Sequence, residues 1–171
     1  MDWWLIVFRV AHIGGAMMWF GGAIIAAFFL TPTAKALGRT AEPFMEHLMN
    51  RRRMGIFFPV VALLTILSGA ALYWRDSAGL QVNWILSPTG LAFTVGGIAA
   101  IAAFVGGMLL IVPSIETEAA VHRELAAGDG VVTEDQRRRL EWADGRMKLA
   151  HRVDMPLLLL AGLTMAVGRY L

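Results

Sequence analysis

WWLIVFRVAHIGGAMMWFGGAIIAAFFL, residues 3–30, is the stretch whose reading decides the fold. It is apolar almost throughout, and it exceeds the roughly 20 residues with which a helix crosses the hydrocarbon of a bilayer. A secretory signal would show a basic start and a shorter apolar core, so the stretch reads as a retained span. Two of its residues do not belong against lipid. Arg9, His12, Ala16 and Trp19 stand three or four positions apart and therefore share one helix face. Ionisable side chains inside a span turn to the interior of the bundle and mark a site.

The whole chain agrees with its first helix. Of its 171 residues, 57% are hydrophobic and only 16% charged, which is the balance of an integral membrane protein. A net charge of +2 gives no reason to expect nucleic acid as a partner. The absence of cysteine excludes disulfides, thiolate metal sites and cysteine nucleophiles.

Four runs are long enough to span: about 3–30, 54–74, 87–112 and 155–171. Thr31-Pro32 and Pro113 are expected to end the first and third, and Pro59 and Pro156 to fall near the starts of the second and fourth. Lys35, Arg39 and Arg51–Arg53 lie between the first two spans. Arg123, Arg137–Arg139, Arg146, Lys148 and Arg152 lie between the last two, and the middle loop offers only Arg75. The positive-inside rule then puts both termini outside the cytoplasm, with Trp3, Trp4, Trp74 and Trp84 in the outer aromatic belt. The expected architecture is all-α: a single antiparallel four-helix membrane bundle, residues 1–171, with the lipid bilayer as its first partner.

The polar segments also read as helices. PFMEHLMNRRRM, residues 43–54, has the spacing of an interfacial helix leading into the second span. SIETEAAVHRELAA extends the third span, AGDG at 127–130 makes a turn, and Thr133 with Gln136 matches a capping box. This predicts a cytoplasmic helical hairpin over about 114–150. Its acidic half (Glu116, Glu118, Glu124) faces its basic half (Arg137–Arg139), or the whole is a solvated stalk.

His12 is the candidate site. If the first span is centred near Ala16, it lies about 6 Å outward of the midplane. An imidazole there suits haem iron, copper or zinc, and Arg9, one turn further out, would meet a haem propionate. The glycines around it leave room for a flat macrocycle. Met165 in the fourth span falls at a similar depth and is the candidate second axial ligand, while His47, His122 and His151 do not. The packing alternative has His12 hydrogen-bonded to a neighbouring helix and Arg9 snorkelling to the headgroups. Ten methionines raise copper, but they are scattered, and Met17 and Met18 point to different faces. Asp154, at the head of the fourth span, is expected to pair with Arg53 or Arg152, or to relay protons. No phosphate-cradling loop, HExxH motif or Ser/His/Asp set is present.

AHIGGAMMWFGGAIIAAFFLTP resembles the first helix of the CopD/HemJ-like superfamily of small four-helix bacterial membrane proteins, with His12 two turns before Trp19-Phe20-Gly21-Gly22. RRRMGIFFPVVALLTILSGAALYW resembles the second helix, and RVDMPLLLLAGL the fourth. YWRDSAG, NWILSPTGLAFTVGG and MAVGRYL look more like uncharacterised CopD-like members. The resemblance implies the bacterial inner membrane and a bound haem b or metal, with His12 as ligand. The protoporphyrinogen oxidases of the superfamily also use a third-helix lysine, and residues 87–112 contain none.

The sequence thus leads to a haem b-binding membrane protein with an electron-transfer or oxidoreductase role. His12 is the axial ligand and metal-binding residue, Arg9 a propionate partner, Trp19 a packing residue further inward, and Met165 the second ligand if there is one. The alternatives are copper handling and a cofactor-free subunit that binds a partner through the hairpin. A redox partner and a homo-oligomer packed through Gly14, Gly96, Gly106 and Gly107 complete the expectations.

Overall fold

The computed structural model describes residues 2–128 and 131–171. Part of the turn expected at 127–130 lies outside the described residues. Among those described there is helix and no strand: α1 (Trp3–Ile25), α2 (Thr31–Leu37), α3 (Glu42–Glu46), α4 (Met54–Asp76), α5 (Val82–Ile85), α6 (Pro88–Gly106), α7 (Val112–Ala127) and α8 (Glu134–Gly168). All but the short α5 fall within four continuous helical stretches long and apolar enough to cross a membrane: Trp3–Arg51, Met54–Asp76, Pro88–Ala127 and Glu134–Gly168.

The prolines expected to end helices do not end them. Ahead of Pro32 the chain widens into a π turn, Ala26–Leu30, and Thr31 N–H bonds the carbonyl of Ala26. Ahead of Pro113 it does the same over Gly107–Ile111, with Val112 N–H on Gly107. A proline has no N–H to give the carbonyl four residues back and its ring crowds that carbonyl. Widening the turn before it relieves the crowding, and the helix runs on. A third π turn, His47–Arg51, ends where Arg53 takes a left-handed conformation (φ 53°), and this is the break before α4. Pro156 stands in the interior of α8, because that helix starts twenty-odd residues before the expected span, at a capping box of Thr133 and Gln136.

The long helices pack as two antiparallel pairs. In the first, Gly15 of α1 meets Thr65 of α4 and Gly22 meets Phe58. In the second, Gly96 of α6 meets Thr164 and Met165 of α8, and Gly168 meets Ala92 and Phe93. A narrower seam joins α4 to α6, while α1 barely touches α8. That seam is tied by Tyr73 Oη and Thr94 Oγ1 at 2.6 Å, and by Trp84 between the rings of Tyr73 and Phe93. Many of the buried positions are small: Ala62, Ala99, Ala103, Ala143, Ala150 and Ala161. Large apolar side chains point outward, with Trp4 75% and Met17 71% exposed.

At the charged end, α7 and α8 form the helical hairpin. Arg139 reaches across it to both oxygens of Glu124 (2.9 and 3.0 Å), and Gln136 adds a bond to the same carboxylate. Arg137 and Arg138 instead pair along α8, with Glu134 and Asp135. The continuation of α1 is fastened to this hairpin by the ion pair of Lys35 with Asp144 and by a contact of 3.2 Å between His122 Nδ1 and Glu42 Oε1.

Candidate functional site

His12 sits on the face of α1 that meets α4. Its Nδ1 lies 2.8 Å from the carbonyl oxygen of Thr65. A carbonyl only accepts, so Nδ1 carries the hydrogen, and in the neutral ring Nε2 keeps a free lone pair. Thr65 O is also the carbonyl that Gly69, four residues on, would cover with any larger side chain. A Cβ built on Gly69 would stand 2.7 Å from Cε1 and 2.8 Å from Nδ1 of His12. Gly69 therefore opens a helix carbonyl to a side chain from the next helix.

The surroundings hold this bond in place. Thr65 is buried, and its hydroxyl donates back to Val61 O at 2.8 Å. Gly15, one turn inward of His12, brings α1 directly onto the Thr65 hydroxyl. Ser68 donates to the carbonyls of Leu64 (2.6 Å) and Thr65 (3.1 Å). The partners that orient His12 are thus a backbone carbonyl and a glycine. Sequence reasoning missed both, although Thr65-Ile66-Leu67-Ser68-Gly69 is the one place in α4 where hydroxyl residues and a glycine share a helix face.

The other predicted residues are not drawn to His12. Arg9 lies one turn outward and is exposed. Trp19 is partly buried, two turns inward. Met165 packs against Gly96, in the seam between α6 and α8. The two sulfur–nitrogen candidates for one iron therefore belong to different helix pairs. Asp154 pairs with neither Arg53 nor Arg152; it lies buried against Gly106. Among the described residues no group of three or more His, Cys, Asp or Glu side chains is placed to hold a metal ion.

The polar hairpin carries its own electrostatics. Bonds from Arg139 and Gln136 hold the Glu124 carboxyl below its ordinary range. Bonds from Lys148 and Lys35 do the same for Asp144. Burial pushes Glu118 the other way, upward, against the pull of Lys35 and His122.

Comparison with protein-family models, with curated proteins and with solved structures gave no match.

Proposed function

We propose that this chain is a four-span membrane protein that binds haem b through Nε2 of His12 and serves electron transfer or a related oxidoreductase step. The observation that carries the reading is the bond from His12 Nδ1 to Thr65 O. Ligating histidines generally donate their other ring hydrogen to a carbonyl or carboxylate, which fixes the tautomer and the ring plane. On the ligand side the residues fit the group. Bound haem would supply a one-electron couple; the chain supplies the nitrogen, its orientation, and Arg9 as a cation within one turn for a propionate. Met165 faces another seam, so the reading assigns a single axial ligand from this chain.

Membrane insertion rests on the four long apolar helices and on seams built from small residues with large apolar side chains outside them. The arginine-rich side, where the α7–α8 hairpin projects, is assigned to the cytoplasm by the positive-inside rule. The bacterial inner membrane is the location that the resemblance to the CopD/HemJ-like superfamily implies.

The packing alternative would produce the same bond, so the test must read cofactor. The detergent-purified protein, expressed with haem precursor, should show a Soret band, reduced b-type peaks and a positive pyridine haemochrome. His12→Ala should lose them while remaining folded. A colourless wild type, or an unchanged spectrum in His12→Ala, overturns the assignment. Stoichiometric copper without porphyrin would move the copper reading ahead of it.

A further inference from the structure

Asp154 lies on the face of α8 that meets α6. The residue is 6% exposed, and its Oδ1 has no hydrogen-bond partner. What it meets is backbone. A Cβ built on Gly106 would stand 2.5 Å from Oδ1, and one on Gly107 would stand 3.9 Å from Oδ2. The two glycines make the recess that the carboxyl fills.

An ionised carboxylate in that recess needs a countercharge or several donors, because an isolated buried charge costs far more than the neutral acid. The neighbouring groups do not supply one. The face presented by α6 and its π turn is glycine. On α8 itself, Arg146 is two turns away, its guanidinium bonded to Leu109 O and stacked on Trp142. His151 is one turn away, towards the charged end, with Arg152 exposed beside it. From α2, Lys35 is held by Asp144. From α7, the inward-facing acid is Glu118, which lies near Lys35, His122 and Asp144. A hydrophobic residue would fill the same recess without this conflict.

We propose that Asp154 is a proton-binding site. Its carboxyl holds a proton while it rests against Gly106 and Gly107, and exchanges that proton with the solution at the arginine-rich end of the bundle. The ligand is the proton itself, and the step is its addition to and removal from one carboxyl oxygen. The packed position suits the neutral acid. The proposal is independent of the haem reading.

The test uses the wild-type protein in detergent and a lipid-soluble carbodiimide. A carboxylic acid gives its proton to a carbodiimide nitrogen and bonds through oxygen to the central carbon; where water is excluded the acyl group then shifts from that oxygen to the neighbouring nitrogen, and the N-acylurea so formed survives digestion and is mapped by peptide mass spectrometry. Asp154 should be the principal labelled carboxyl at about pH 6, and its labelling should fall by about tenfold or more by about pH 9. Asp154→Asn should remove the label from that peptide alone. A water-soluble carbodiimide should modify exposed acids such as Glu134 and spare Asp154. Absence of label on Asp154 at acid pH overturns the proposal, and so does labelling that does not change with pH.

Discussion

Arg146 donates from its guanidinium to the carbonyl oxygen of Leu109. Leu109 is the residue four before Pro113, which has no N–H to donate to that carbonyl. A side chain from α8 thus supplies what the sequence of the third long helix removes, and this contact fixes the hairpin to the π turn.

Removing it should be costly in a specific way. Arg146→Met keeps much of the stem and loses the donor, which should destabilise the protein by about 1–3 kcal/mol in detergent thermal or denaturant unfolding. Pro113→Ala returns an N–H to Leu109. The double variant should therefore recover about 1 kcal/mol of that loss, and strict additivity would show that the two are not linked.

At Gly69 a methyl group would enter the space of the His12 ring. Gly69→Ala should break the bond to Thr65 and lower retained haem several-fold, with a shifted Soret band in what remains. Gly97→Ala is the control, since nothing lies within 4 Å of a Cβ there. It should leave the spectrum alone and change stability by less than about 1 kcal/mol.

Gly106→Ala tests the seam between α6 and α8. Its Cβ would press on Asp154 Oδ1, and overpacking of this kind costs about 1–3 kcal/mol. Gly162→Ala, with open space at its Cβ, should cost nothing measurable. Equal melting temperatures for the two variants would count against the close approach.

The hairpin should respond to acid. Glu124 and Asp144 titrate lower when folded than when unfolded, so their contribution is present above the unfolded carboxylate range, about pH 4, and is lost as pH falls through the folded values. Amide exchange in α7 and the first half of α8 should accelerate on acidification before exchange in α4 does. Glu118 has the opposite sign: burial raises it, so its folded-state cost grows as pH rises from the unfolded value through the folded one. Glu118→Gln should be more stable than wild type at neutral pH and no more stable at about pH 4. A uniform effect across pH would refute the assignment.

Much of the fold can be read from the chain because apolar runs and caps are local signals. The capping box at Thr133 and Gln136 is formed as its residues dictate. The prolines mislead because the structure compensates for them: a π turn widens the helix ahead of Pro32 and of Pro113, and at Pro113 a group from a different element, Arg146, also donates to Leu109. His12 stands out by depth and chemistry, yet its partner is a main-chain carbonyl, to which side-chain identity gives no direct clue. Met165 shows the limit of reasoning by rise per residue. Rise fixes height along a bundle and leaves the azimuth free, and Met165, expected at a depth similar to that of His12, faces another seam.

The π turn at Gly107–Ile111 also constrains how this chain can change in length. One residue more or less there rotates everything beyond it by about 100° relative to α6. Such a change would turn Ser114 and Val121, both fully buried, away from their neighbours and swing the hairpin off the side that Lys35 and Glu42 grip. Insertions and deletions should therefore be tolerated in the connection between α7 and α8 and refused between Gly106 and Pro113, where the number of residues matters as much as their identity.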